Sequence, residues 1–161
     1  MPVTDFTSNP DTRTITITAE FDAPVERVWA LYADPRQLER VFGPPSHPAT
    51  FVQHDLTVGA ETRYYMTSPE GEKYPGVWTI TAVDEPHSFS FEDAFADEQF
   101  RVNADLPVCM STYSFEPQGE RTRAVFVSTF ASAEALQQVI DMGVEEGSIS
   151  AINQIDGVLA A

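Results

Sequence analysis

The last thirty residues, Ser132 to Ala161, limit the fold more than any other stretch, because they read as one long helix that is apolar along a single face. At about 100° per residue, Leu136, Val139, Ile140, Gly143, Val144, Gly147, Ala151, Ile155 and Val158 fall in one stripe, with Glu134, Gln138, Asp141, Glu145 and Asp156 opposite. Burying eight or so such positions is worth on the order of 10 kcal/mol gross, before chain entropy is subtracted, so the helix requires a broad apolar partner. Gly143 and Gly147 lie on that face one turn apart, and each costs roughly 1 kcal/mol against alanine in a helix. Two explanations stand: a strand approaches closely there, or a hollow is kept open above a ligand. Gln154 projects near the centre of the same stripe and needs a hydrogen-bond partner if buried.

The rest of the chain supplies a sheet. Residues Met1 to Asp11 are polar with Pro2 and Pro10, and read as a flexible arm over 1–12. From Arg13, Ile15, Ile17, Ala19 and Phe21 alternate with Thr14, Thr16, Thr18 and Glu20, the pattern of a half-buried strand. Asp22 is placed to cap a helix starting near Pro24 and carrying Val25, Val28, Trp29, Leu31 and Tyr32. A second short helix from Pro35 brings Leu38, Val41 and Phe42 to one side before Gly43-Pro44-Pro45 stops it.

Strands are then expected at Phe51–Gln53, Glu61–Ser68, Tyr74–Val83, Ser88–Phe91, Cys109–Phe115 and Arg123–Phe130. The punctuation between them is strongest at Pro69-Glu70-Gly71-Glu72, Asp84-Glu85-Pro86 and Glu116 to Glu120. The run Glu92, Asp93, Asp97, Glu98 and Asp105, around Phe95 and Phe100, reads as a solvated hairpin end, or as a flap at a cavity mouth. The predicted class is α+β: one antiparallel sheet of six to seven strands, strongly curved, around the terminal helix, with two short helices after the first strand.

The 161 residues suffice for one domain, taken as 13–161, and 42% apolar content is that of a globular protein. With 25 acidic against 9 basic residues the net charge is −16, which repels phosphate backbones and anionic lipid, so neither nucleic acid nor membrane is expected as a partner. A single cysteine, Cys109, allows no internal disulfide and reads as a small buried hydrophobe. No apolar run resembles a signal sequence or a membrane span, so a cytoplasmic location is expected.

The element order, with the segments Asp34–Pro44 (DPRQLERVFGP), Asp55–Gly59 (DLTVG), Tyr64–Gly71 (YYMTSPEG) and Met142–Gly147 (MGVEEG), resembles the activator-of-heat-shock-protein-90-ATPase-homologue-like family. That family belongs to the START/Bet v 1-like helix-grip superfamily, and the resemblance runs from about Arg13 to Leu159. It implies a helix-grip fold with a hydrophobic cavity between sheet and helix. Members bind lipids, hormones or polyketide-like compounds, a few relatives catalyse ring closure or hydration, and the eponymous eukaryotic domain contacts the chaperone. The second helix of the family usually ends in a tryptophan pair before Gly-Pro; Val41-Phe42 stand there in this chain, so ligand identity does not carry over.

No catalytic constellation is visible. His47, His54 and His87 lie in or beside loops without helical pairing to a carboxylate, so no metal is expected, and no Gly-rich phosphate loop or nucleophile elbow implies a cofactor. The polar groups expected to point inward are Thr62, Tyr64, Trp78, Tyr113 and Gln154, each open to a plain reading as a hydrogen-bonded core residue. Together with Phe42, Met66, Phe89, Phe91, Phe115 and Met142, and with Gly143 and Gly147 above, they suit an apolar ligand bearing one or two oxygens. The leading expectation is therefore a binding protein for a small hydrophobic or aromatic molecule, with room for a homodimer. The alternatives are a polyketide cyclase- or hydrolase-like enzyme using Tyr64 or Tyr113 as general acid, and a chaperone cofactor with an acidic docking surface.

Overall fold

A computed structural model describes residues 2–160 of the chain. Met1 and Ala161, the outer ends of the predicted arm and the predicted terminal helix, lie outside the described residues. Eight strands form one antiparallel sheet: β1 (Val3–Asn9), β2 (Thr14–Phe21), β3 (Ala49–Gln53), β4 (Glu61–Thr67), β5 (Lys73–Asp84), β6 (Ser88–Phe95), β7 (Cys109–Gln118) and β8 (Arg121–Phe130). Their order across the sheet is β1-β2-β8-β7-β6-β5-β4-β3. From β3 to β8 the chain runs as a meander, and the amino-terminal hairpin is joined to it by the pairing of β2 with β8.

The strand count exceeds the expected six to seven because the residues expected as a loose arm are strand β1. Its side chains are mostly exposed, so no apolar alternation marks it; backbone pairing with β2, from Val3 opposite Ala19 to Asn9 opposite Thr14, holds it in place. The predicted strand at Arg13 is β2, whose alternation places Ile15, Ile17, Ala19 and Phe21 in the core as read.

Between β2 and β3 lie α1 (Val25–Ala33) and α2 (Pro35–Leu38). Asp22 does not cap α1: the N-cap position is Pro24, which offers no side-chain acceptor, and the Asp22 carboxylate is exposed beside Arg121. Pro35 forces Asp34 into an extended conformation that ends α1, and the Asp34 side chain then accepts from the Arg36 amide at 2.9 Å to start α2.

The terminal segment is three helices rather than one: α3 (Ala133–Asp141), α4 (Val144–Ile152) and α5 (Ile155–Leu159). Ser132 caps α3 by accepting from the Ala135 amide at 3.0 Å. Gly143 adopts φ +90°, a left-handed conformation that closes α3 and opens α4, and only glycine enters it without strain. The second break is shallow, since Asn153 and Gln154 keep helical dihedrals. Asn153 accepts from the Val3 amide, pinning β1 to the helices, and Gln154 donates to the Gly43 carbonyl at 2.8 Å, which satisfies the polar group noticed in the stripe.

The helices cover the sheet face on which alternate residues are buried. At the α1 end this face is solid: Trp78, Phe89, Phe91 and Phe115 pack with Trp29, Tyr32 and Phe51, and Trp78 stacks on Phe91 at 4.1 Å. Under α4 the stripe is only half-buried, with Ala151 the one fully buried residue of that helix. Among the described residues no helix is long and apolar enough to cross a membrane.

Candidate functional site

The half-buried stripe of α4 roofs a cavity of about 770 Å³. Its floor is the sheet, through Ile15 and Ile17 of β2, Tyr64 and Met66 of β4, Asp93 of β6, Cys109, Ser111 and Tyr113 of β7, and Phe126, Ser128 and Phe130 of β8. Leu38, Val41 and Phe42 close one side. The exposed Pro45, Ser46, Met142 and Glu146 also line it, which places the opening between the Pro44–His47 loop and the α3–α4 junction.

Both glycines border this space, and neither is there for a close strand approach. Open space surrounds the point where a Cβ on Gly143 or Gly147 would sit; the left-handed backbone accounts for glycine at 143, while at the helical Gly147 no packing contact requires one.

Of the residues expected to form the site, Phe42, Tyr64, Met66, Tyr113, Met142, Gly143 and Gly147 line the cavity. Thr62, Trp78, Phe89, Phe91 and Phe115 share the inward face but stand outside the cavity, in the aromatic block that α1 covers. Thr62 is bonded to His54 Nδ1 at 2.8 Å, whose Nε2 meets the Tyr32 carbonyl at 2.7 Å, so this pair joins α1 to the sheet. Burial lowers the His54 pKa. The Trp78 indole N–H is buried with no acceptor among the described residues, contrary to its expected hydrogen bond.

The residue that sequence reasoning misplaced is Asp93. The expected strand stopped at Phe91, which left Asp93 in a solvated acidic run. Instead β6 continues to Phe95, so Asp93 points the same way as Phe89 and Phe91. Glu92, Asp97, Glu98 and Asp105 are exposed, as read; Asp93 is not. It is half-buried, and it lines the cavity wall. Carrying the alternation of Ser88 to Phe91 two residues further is the signal that finds it.

Asp93 lies opposite Trp78 on β5 and Cys109 on β7, and its Oδ1 accepts from the Tyr64 hydroxyl at 3.1 Å. Tyr64 reaches it from β4, two strands away, by laying its ring across Gly76, its register partner on β5. A Cβ at Gly76 would overlap the Tyr64 hydroxyl, so the absence of a side chain there is what lets the pair form.

Burial pushes the Asp93 carboxyl up to about 7, while the Tyr64 hydrogen bond pulls the other way. Burial, then the neighbouring Asp93 charge, holds the Tyr64 hydroxyl well above its usual range, so it remains a donor. Tyr113 is raised for the same first reason. Burial also pushes the Cys109 thiol up to about 12, and Asp93 adds to the shift, so Cys109 is a neutral thiol and a poor nucleophile. Ser111 and Ser128 bond to each other at 2.9 Å beside it. Among the described residues no three His, Cys, Asp or Glu side chains converge as a metal ion requires. His47, at the opening, is bonded to Ser46.

The site is thus an apolar hollow with hydroxyls and one carboxylate on its sheet side. A family model described as Activator of Hsp90 ATPase homolog 1-like protein matches residues 22–160. The crystal structure of protein Ms6760 from Mycobacterium smegmatis is 65% identical, covers 98% of this chain and 97% of its own, and superposes with a TM-score of 0.91. A solution structure of a protein from Arthrobacter aurescens is 46% identical over 98% of this chain and 92% of its own, with a TM-score of 0.94. DynU16, a protein of the dynemicin biosynthetic locus, shares the fold at 16% identity and a TM-score of 0.65, over 92% of this chain and 48% of its own. The curated proteins contain no match.

Proposed function

The chain belongs to the Activator of Hsp90 ATPase homolog 1-like family, and from that premise we propose that it binds a small hydrophobic or aromatic molecule between the sheet and α4. The observation that carries this is the cavity itself: about 770 Å³, walled mainly by apolar side chains, with a few polar groups and a way in from solvent. That size and polarity are those of small-molecule sites, which span roughly 300–1,000 Å³. Gly143 is required by its left-handed backbone, but in a core this well packed elsewhere no backbone or packing constraint explains the helical Gly147 over a hollow.

The test is titration with the neutral apolar fluorophore N-phenyl-1-naphthylamine. Gly147→Leu places a side chain in the hollow from a helical residue, without the backbone strain that any substitution at Gly143 brings. We expect it to weaken binding at least about tenfold, equivalent to roughly 1.4 kcal/mol. A folded Gly147→Leu protein that binds the fluorophore as well as the parent overturns the reading.

A second reading is a cyclase- or hydrolase-like enzyme. It is favoured by Tyr64 and Tyr113 facing one hollow, with Tyr64 joined to a carboxylate. Native mass spectrometry of the purified protein identifies a copurifying compound. Its conversion by the parent, lost in the Tyr64→Phe, Tyr113→Phe double variant, distinguishes turnover from binding.

A further inference from the structure

The polar side of the cavity has a sign. Asp93 Oδ1 is occupied by the Tyr64 hydroxyl, but Oδ2 receives no hydrogen bond from the described residues, and the carboxyl lines the hollow. That second oxygen opens into the hollow and is free to accept from a donor group on a bound molecule. The cavity-lining residues include two carboxylates, Asp93 within and Glu146 at the opening, and neither lysine nor arginine.

Once Asp93 is ionised, above about pH 7, a ligand bearing its own carboxylate, such as a fatty acid, therefore meets like charge with no lysine or arginine lining the space to offset it. A ligand bearing an ammonium group meets the opposite. Its positive charge gains an ion pair, and the rings of Tyr64 and Tyr113 border the same space, as aromatic faces around bound ammonium groups do elsewhere. The chain's net charge of −16 adds a field that draws cations from solution. A bare metal ion is a poor occupant, since one carboxylate supplies too few ligands and the hollow is far too large.

We propose that the ligand of this cavity is an organic amine: an apolar, ring-containing body held between the sheet and α4, with its ammonium group on the free oxygen of Asp93. The proposal rests on the binding reading above and names the class of molecule for the same site.

Three molecules with one scaffold test it: 2-(aminomethyl)naphthalene, 2-methylnaphthalene and 2-naphthoate, each competing with N-phenyl-1-naphthylamine for the full chain. We expect the amine to displace the fluorophore at about tenfold lower concentration than the hydrocarbon, and the carboxylate to need about tenfold more. In Asp93→Asn the amine's advantage should fall to about threefold or less, and the carboxylate should gain.

If the carboxylate competes as well as the amine in the parent protein, the amine assignment is overturned while binding in the cavity stands. If neither the fluorophore nor any naphthalene binds, as checked by calorimetry, both readings are overturned. The ranking in the parent protein decides the matter even if Asp93→Asn does not fold.

Discussion

The inner face of the sheet has two halves built on the same alternation, and they end in opposite states. Under α1 the inward positions are Trp78, Phe89, Phe91 and Phe115, and the space is filled. Under α4 they are Ile15, Ile17, Ser111 and Ser128, facing Gly147 and Ala151, and about 770 Å³ stays open. Strand periodicity decides which residues face inward. Side-chain volume, summed across sheet and helix, decides whether that face becomes a core or a chamber.

The sharpest way to break the comparison is to empty the filled half. Trp78→Ala should cost about 3–5 kcal/mol in denaturant-induced unfolding, because a fully buried indole leaves a cavity that its stacked neighbours cannot collapse into. A loss below about 1 kcal/mol would mean the aromatic block is no more tightly packed than the hollow.

Next in size is the pH response of Asp93. Its ordinary value is 3.8 and its folded value is about 7, so between these the folded state holds more protons than the unfolded one. Stability should fall as pH rises from about 4 to 7 and level off above, by about 2–4 kcal/mol relative to Asp93→Asn followed over the same range. Tyr64, Tyr113 and Cys109, which face it, are held protonated throughout, so the difference between the two proteins isolates Asp93. Parallel pH curves would show that the carboxyl is hydrated as if at the surface.

Two glycines sharpen the contrast at the smaller end. Gly76→Ala pushes a methyl into the Tyr64 ring and should cost about 1–3 kcal/mol while enlarging the pH difference just described, since disturbing the Tyr64–Asp93 hydrogen bond removes the contact that holds the carboxyl down against burial. Gly147→Leu, measured by thermal or denaturant unfolding, should change stability by less than about 1 kcal/mol, because its new side chain enters open space and leucine is the better helix former. Equal costs at the two positions would erase the distinction between the halves.

The sheet and its inward face were legible wherever alternation and turn chemistry coincide, as in β2, β4 and β8. Strand β1 was not, because an edge strand held by backbone pairing needs no apolar side of its own. The kink at Gly143 was hidden for a different reason: hydrophobic periodicity passes through a left-handed residue unchanged when the stripe resumes beyond it. For the site, parity identified Trp78, Phe89, Phe91 and Phe115 as inward, yet it carries no information on which helix lies above each strand segment. Composition misled at Asp93, where an acid among acids concealed a position that the count of two from Phe91 would have assigned to the interior.

The place of β2 beside β8 bears on how the chain reaches this state. Thr14 pairs with Thr129 and Phe21 with Thr122, so the first hairpin is joined to the meander by contacts that span most of the polypeptide. On the ribosome that hairpin waits with one edge unsatisfied until the eighth strand emerges, and closing so long a loop is what makes such topologies slow to form. The chamber cannot exist before that closure, since Ile15 and Ile17 on one flank and Tyr64 and Asp93 on the other become neighbours only through it. A nascent chain stalled before β8 should be sensitive to protease and unable to take up the naphthylamine fluorophore.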